Sequence, residues 1–339
     1  MRRATRALLC ALALRSAAPK PPKRAKATGR NESYAVVLYG HGGYVAGALV
    51  LGHVLRRVDG TRRRTALVAN VSASARAALA ADGLYDVRHA AALARHAAGP
   101  GVWPGRMLDL WALPFERVLK LDLDLMLLPG AGPAQHLRRL WDAPVGGGPN
   151  ASALAAVRTS HPGHGRCFNG GMLLLRPSRD TYAEIARAVE AQDVSEDCTV
   201  GHDQPVMNKV FAGRWRPLEP WTPVKATMRC AHIPDAPDAF HFFSSTAPWS
   251  HQCARCVAAG APCSRFRGPA KERKNIEACM RPRLLDAQRR WWRELLELPY
   301  DARSRVDEFL EFDAAPACSP DSATPPDLEQ KTAGEDISV

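Results

Sequence analysis

Val118-Leu-Lys-Leu-Asp122-Leu-Asp124-Leu-Met-Leu-Leu128 is the stretch that decides the fold. Eight of its eleven residues are apolar, the pattern of a strand buried on both faces rather than one turned to water. Side chains alternate along a strand, so Asp122 and Asp124 are expected on one face, about 7 Å apart along the backbone. Two carboxylates on an apolar sheet repel each other and are costly to desolvate unless a cation joins them. Such oxygen ligands suit Mn2+ or Mg2+, ions that can hold a nucleotide diphosphate at the same time. A second reading ends the strand early, pairs Lys120 with Asp122 and leaves Asp124 in water.

Around this stretch, short apolar strands alternate with helical patterns. Residues 34–39 read as a strand closed by Gly40, Gly42 and Gly43, and 44–57 as a helix carrying Val45, Leu49, Val50 and Val54. Strands over 66–69 and 172–175 and helices over 72–81 and 181–191 continue the pattern. Alternation of this kind implies an α/β fold, a mostly parallel sheet flanked by helices, with ligands at the carboxyl ends of its strands. There is no internal repeat. Residues 252–279, rich in Cys, Gly, Pro and basic side chains, break the pattern and read as an insertion.

The 339 residues carry 46 Lys and Arg against 34 Asp and Glu, a net charge of +12 that is unevenly spread. Nine basic and no acidic residues fall in 1–30, and ten acidic against three basic in 301–339. The 270 residues between hold the remaining 34 basic and 24 acidic side chains, a diluted +10. With no basic-aromatic array or recognisable binding module, a nucleic-acid partner is not expected. No run reaches the roughly 18–20 apolar residues of a membrane span.

The basic start, the apolar residues 7–14 and the small residues 16–18 have the order of a secretory signal over 1–18. Residues 19–33 then form a basic linker, and 313–339 a disordered acidic tail. Asn-x-Ser triplets at Asn31, Asn70 and Asn150, and eight cysteines beyond the leader's Cys10, fit the secretory pathway, with the Golgi lumen or secretion as destination. An Arg-rich, acid-free leader is also compatible with a plastid. Cys253, Cys256, Cys263 and Cys279 suit disulfides in that compartment, with a zinc site as the alternative.

Several segments occur in the order found in family 8 glycosyltransferases, the glycogenin-like group. Tyr44-Val-Ala-Gly-Ala-Leu-Val-Leu-Gly52 resembles the family's segment after the first strand, and Thr61-Arg-Arg-Arg-Thr-Ala-Leu-Val68 its next strand. Asp122-Leu-Asp124 resembles the Asp-x-Asp motif. Cys167-Phe-Asn-Gly-Gly171, Asp203-Gln-Pro-Val-Met-Asn208 and His241-Phe-Phe-Ser-Ser-Thr-Ala-Pro-Trp249 resemble three later motifs. The resemblance spans residues 34–250.

It implies a GT-A fold over residues 34–312 that binds a UDP-sugar and Mn2+ (or Mg2+) and transfers a hexose or hexuronic acid, with retention, to a glycan or protein acceptor. Asp122, Asp124 and His241 match the metal ligands; without the motif, His241 would read as a buried, hydrogen-bonded histidine. Leu38, Tyr39, His41 and Tyr44 match the loop that cradles uridine, although Tyr44 reads equally as helix-start packing. Arg106 matches a basic residue upstream of Asp-x-Asp. Asn169 and Gly170 match donor-sugar contacts, with a simple Asn-Gly turn as the other reading. Asp203 and Gln204 match residues next to the reacting carbon.

The sequence departs from the family in two respects. Ala247 replaces the closing motif's Lys, which opens the alternative of a catalytically silent member that still binds nucleotide or glycan. About fifteen extra residues around 141–154 are expected to form a surface loop. The segment 284–298, with Trp291 and Trp292, reads as a packing helix rather than an acceptor platform.

Overall fold

The computed structural model describes residues 31–40, 42–96, 105–128, 133–145, 152–159, 166–198, 204–218, 223–225, 239–242, 247–250 and 280–310. The leader, the cysteine insertion, the acidic tail, Asn150, Asp203, His41 and every cysteine except Cys167 and Cys198 lie outside them.

The first unit is β1 (Glu32–Tyr39), α1 (Gly42–Val58), β2 (Arg63–Ala69), α2 (Ala73–Ala80), β3 (Asp86–His89) and α3 (Ala91–His96). Then follow β4 (Arg117–Leu121), β5 (Leu125–Leu127), α4 (Pro133–Trp141), β6 (Leu154–Arg158), β7 (Phe168–Leu175) and α5 (Arg179–Glu190). The remaining elements are α6 (Gln204–Val210), β8 (Trp215–Pro217), β9 (Pro223–Lys225), β10 (Ala239–His241), α7 (Met280–Glu297) and α8 (Tyr300–Phe309). No described helix is long and apolar enough to cross a membrane.

The main sheet has the order β3-β2-β1-β4-β7-β6-β8. Strands β3, β2, β1 and β4 run parallel, β7 is antiparallel to both β4 and β6, and β8 runs parallel to β6. Alternation along each strand feeds two cores. Leu119 and Leu121 join Val36 and Leu38 on one face, while Val118 joins Ala35 and Leu173 on the other. Burial on both faces is the reason these strands are apolar throughout. Successive elements spread from β1 through β2 to β3, and the chain then returns to the other side of β1 as β4. The β1/β4 boundary is therefore the switch point, where the crevice of an open α/β sheet lies.

Local chemistry sets the helix starts. Ser72 and Ser178 cap α2 and α5 by accepting from the amides of Ala75 and Thr181, each at 3.1 Å. At the opposite edge from the crevice, Arg62 bridges Glu32 Oε2 (2.7 Å) and Asp59 Oδ2 (2.5 Å), and Arg117 bonds the other oxygen of Glu32. The Tyr34 hydroxyl donates to Asp59 at 2.8 Å and accepts from Trp141 Nε1 at 3.2 Å.

Three expectations change. First, the apolar stretch is not one strand. It divides at Asp122-Leu123-Asp124 into β4 of the main sheet and β5 of a small second sheet, β5-β10-β9. A turn made by Leu125 N–H on Asp122 O (3.4 Å) lets the chain leave one sheet for the other. Second, the first strand begins at Glu32 rather than 34, and Glu32 is held by two arginines. Third, the ends of the extra segment are core rather than surface: Trp141 and Leu154 are both 0% exposed. Helix α7 buries Trp291 and Trp292 against α1 and each other, as a packing helix does.

Candidate metal and donor site

Leaving β4, the chain turns at the crevice, and the turn places both aspartates there. Asp122 N–H donates to Gly171 O on β7 at 2.8 Å. Strand β5 pairs antiparallel with β10 so that Leu125 faces His241, and Phe242 N–H donates to Asp124 O at 2.9 Å. This register delivers a histidine more than a hundred residues away to the two carboxylates. His241 Nε2 is 3.4 Å from Asp122 Oδ2 and 3.3 Å from Asp124 Oδ1. One ligand atom from each of the three lies within 4.8 Å of the others.

The two readings of this stretch are both partly realised. The strand does end early and Lys120 pairs with Asp122, yet Asp124 is not solvated, its side chain being only 15% exposed. Lys120 is the residue of this cluster that the motif comparison passes over. Its side chain is 1% exposed, and its ammonium bonds Asp122 Oδ1 and, at 2.6 Å, Gly170 O. The available signal was a lone charge inside an apolar strand.

Strand β7 supplies the opposite wall. Its pairing with β6 slips between Ala156, opposite Leu173, and Val157, opposite Asn169. The slip spans Gly170 and Gly171; the Gly170 carbonyl accepts from the Lys120 ammonium, while Gly171 O takes the Asp122 amide in continuation of the β4/β7 ladder. Asn169 and Gly170 therefore lie in an irregular strand and not in a turn. A Cβ at Gly171 would collide with the His241 ring and with Asn169 Oδ1. Gln204 Oε1 accepts from Gly170 N (3.0 Å) and Asn169 Nδ2 (3.1 Å), while Asn169 Oδ1 accepts from Gly171 N at 3.0 Å. Asn208, one turn on in α6, holds both the N–H (2.8 Å) and C=O (3.1 Å) of Phe168. A disulfide, Cys167–Cys198, ties the start of β7 to the segment leading toward α6. The Phe-Asn-Gly-Gly and Gln-Pro-Val-Met-Asn segments are thus locked to each other.

On the remaining side, Tyr44 in the first turn of α1 packs edge-on against Trp249, with centroids 5.4 Å apart. Trp249 fits there because Gly43 and Gly47 present no side chain to it. Burial, then the Asp124 charge, pushes the Tyr44 phenol up, while Arg106 draws it down. The Arg106 charge also reaches Asp122. Tyr39 lies at the end of β1 with its hydroxyl 3.1 Å from Asn70 Nδ2. Leu38 is a core residue, 0% exposed, so its side chain does not line the crevice. Ala247 is likewise fully buried.

Electrostatics distinguish the cluster. Burial disfavours the charged form of Asp122, but Lys120, His241 and Arg106 outweigh it and hold the carboxyl well below the ordinary range. Burial also works against the His241 imidazolium, yet Asp124 and Asp122 raise it from the ordinary 6.5 to about 9. At neutral pH the two carboxylates are therefore matched by an ammonium and an imidazolium. Two carboxylates and one imidazole, converging on a point with the His241 ring seated against Gly171 where no Cβ would fit, suit a hard or borderline divalent ion such as Mn2+ or Mg2+.

A mixed, mostly parallel sheet flanked by helices, with Asp-Leu-Asp where β4 leaves the sheet, defines a GT-A fold. The galactosyltransferase LgtC, solved with donor and acceptor sugar analogues, has this architecture: TM-score 0.51, 18% identity, 80% of this chain aligned with 99% of that one. An active-site mutant of LgtC gives 0.52 at 16% identity over the same shares, and the glycosyltransferase GlyE of Streptococcus pneumoniae TIGR4 gives 0.48 at 17%, over 82% of this chain and 63% of that one. At such identities the likeness is one of fold. No protein-family model matches this sequence, nor does any curated protein.

Proposed function

We propose that this chain is a metal-dependent, retaining glycosyltransferase that moves a hexose or hexuronic acid from a UDP-sugar to a glycan or protein acceptor. The observation that carries this reading is the convergence of Asp122, Asp124 and His241 within 4.8 Å at the crevice of the sheet. The fold it shares with LgtC, a galactosyltransferase with donor and acceptor complexes, supports the same substrate class.

In this reading Asp122, Asp124 and neutral His241 hold Mn2+ (or Mg2+). The ion supplies Lewis-acid neutralisation of the leaving diphosphate. Tyr44, Tyr39 and His41 flank the nucleotide, and Arg106 adds positive charge beside it. Asn169, with one amide hydrogen committed to Gln204 and one oxygen lone pair to Gly171, keeps its second hydrogen and lone pair for sugar hydroxyls. Gln204 holds that wall rigid, and Asp203, its neighbour in sequence, is assigned to the reacting carbon. The disulfide Cys167–Cys198 supports an oxidising compartment, in keeping with the secretory rather than the plastid route.

A panel of UDP-sugars with Mn2+, scored by UDP release and repeated with Asp122→Ala, tests the proposal. Release from at least one donor, lost in the variant, is the expected result. The buried Ala247, standing where the resemblance places a Lys, favours the second reading of a silent member. UDP binding without release from any donor would establish that reading, and absence of both would overturn both.

A further inference from the structure

The Lys120 ammonium is enclosed, 1% exposed, and divided between a carboxylate oxygen and a peptide carbonyl. Val118 on the same face of β4 and Leu173 across the ladder are both 0% exposed and apolar. An apolar residue at position 120 would match that wall, and replacing a buried ion by well-packed apolar atoms is often neutral or stabilising. Folding alone therefore gives little reason for a charge here. Its effect falls on Asp122, whose Oδ1 it occupies while Oδ2 faces His241 Nε2 at 3.4 Å.

We propose that Lys120 is a built-in counter-ion that lowers the affinity of the carboxylate pair for a bare divalent cation, so that the cation is retained only together with a nucleotide diphosphate. The proposal rests on the functional reading above. With the ammonium in place, two carboxylates and a neutral imidazole present a net charge of −1 to a divalent ion instead of −2. Asp122 is also restricted to a single ligating oxygen. A diphosphate supplies the missing negative charge, as it does in sites that bind metal through one or two carboxylates plus substrate phosphates. By linkage, the factor by which diphosphate strengthens metal binding is the factor by which metal strengthens nucleotide binding. Lys120 also bonds the Gly170 carbonyl, whose own N–H is held by Gln204, so the same side chain joins the metal ligands to the sugar-facing wall.

The test is a titration of the full chain with Mn2+ alone, and again with saturating UDP, at one fixed pH, reading free Mn2+ by electron paramagnetic resonance. Wild type is expected to bind Mn2+ weakly alone and about tenfold or more tightly with UDP. Lys120→Met is expected to bind Mn2+ alone about tenfold more tightly, the removed positive charge setting the sign and outer-sphere changes in metal sites the size, and to lose most of the UDP enhancement; Lys120→Arg is expected to behave as wild type. A Lys120→Met affinity within threefold of wild type, or below it, overturns the proposal, since a merely structural lysine predicts that result. Should Lys120→Met fail to fold, the wild-type pair of titrations decides: less than tenfold tightening by UDP overturns the proposal. Wild type that binds neither Mn2+ nor UDP overturns the functional reading and this inference together, whereas normal Mn2+–UDP binding with an unresponsive variant overturns this inference alone.

Discussion

Two ionic clusters, one buried and one partly buried, occupy opposite ends of strands β1 and β4, and each places two carboxylates against two basic groups. At the N-terminal end, Glu32 and Asp59 are 3% and 4% exposed, and their oxygens are taken up by Arg62, Arg117, Tyr34 and Thr61. The guanidinium of Arg62 also lies over the Trp141 ring, 4.7 Å from its centroid. At the C-terminal end, Asp122 and Asp124 face Lys120 and His241. The N-terminal cluster uses arginines, permanently charged forks that match carboxylate geometry. The other uses an imidazole, the one side chain of the four that can exchange a cationic for a ligating state by losing a proton within a mild pH range, here below about 9. The lesson is that charge count does not separate a structural network from a chemical one. What separates them is whether the basic partner can give up its place.

Substitutions at the two ends should therefore have opposite signatures. The largest effect is expected at the crevice. Asp122→Ala or Asp124→Ala should reduce sugar transfer by roughly a thousandfold or more, because a metal's stabilisation of developing charge is worth several kcal/mol. The same variants should also melt lower, Asp122→Ala because the enclosed Lys120 ammonium loses its carboxylate, so it is the lost activity that marks this end. Next in size, Arg62→Ala should leave two buried carboxylates without their shared partner, at a cost of about 3–5 kcal/mol. That corresponds to a Tm lower by roughly 10 °C, with the activity of the remaining folded protein intact. Equal losses of stability and activity at both ends would break the distinction.

The titratable partner makes a third prediction. With His241 protonated up to about pH 9 in the metal-free protein, each metal ion must displace one proton. Affinity for Mn2+ should rise about tenfold per pH unit from 7 toward 9 and then level off, which a titration series would reveal. Stability of the metal-free protein should change in the reverse sense. A group whose folded pKa is raised contributes in full below its ordinary 6.5 and loses that contribution as pH climbs through about 9. The melting temperature should fall across that window, and His241→Gln should remove this part of the fall. The N-terminal cluster should add nothing to it. The smallest effect is expected at Gly171→Ala, where the new methyl meets the His241 ring and Asn169 Oδ1. A loss of roughly tenfold in Mn2+ affinity is expected, with UDP-sugar KM rising and Tm lowered by a few degrees as the ring or the strand shifts to relieve the collision.

The elements that the sequence made legible are those whose cause is local. Period-2 and period-3.6 apolar patterns, the glycines after β1 and the serine caps of α2 and α5 all act within a few residues, and they place helices and strands to within a few positions. The aspartate pair and His241 were readable because their order along the chain resembles a known family. Less was readable where contacts join distant segments. Lys120 appeared only as a possible partner of Asp122, and nothing in its neighbourhood points to the Gly170 carbonyl fifty residues on. Nor did any pattern indicate that β7 would slip at its glycines, or that Gln204 and Asn208 would grip that slip from α6.

By itself, then, the sequence determined an α/β chain with a carboxylate pair set in a buried apolar run, since burial on two faces demands apolar side chains and a charge placed there needs a partner. Only the tertiary structure decided that this run is two strands in two sheets. The turn between them is selected by partners far along the chain: Gly171 O receives the Asp122 amide, and β10 pairs with β5 in the one register that brings His241 to the aspartates. Hydrogen bonds across such separations leave no periodic trace in composition, because their geometry is set by the packing of the two sheets.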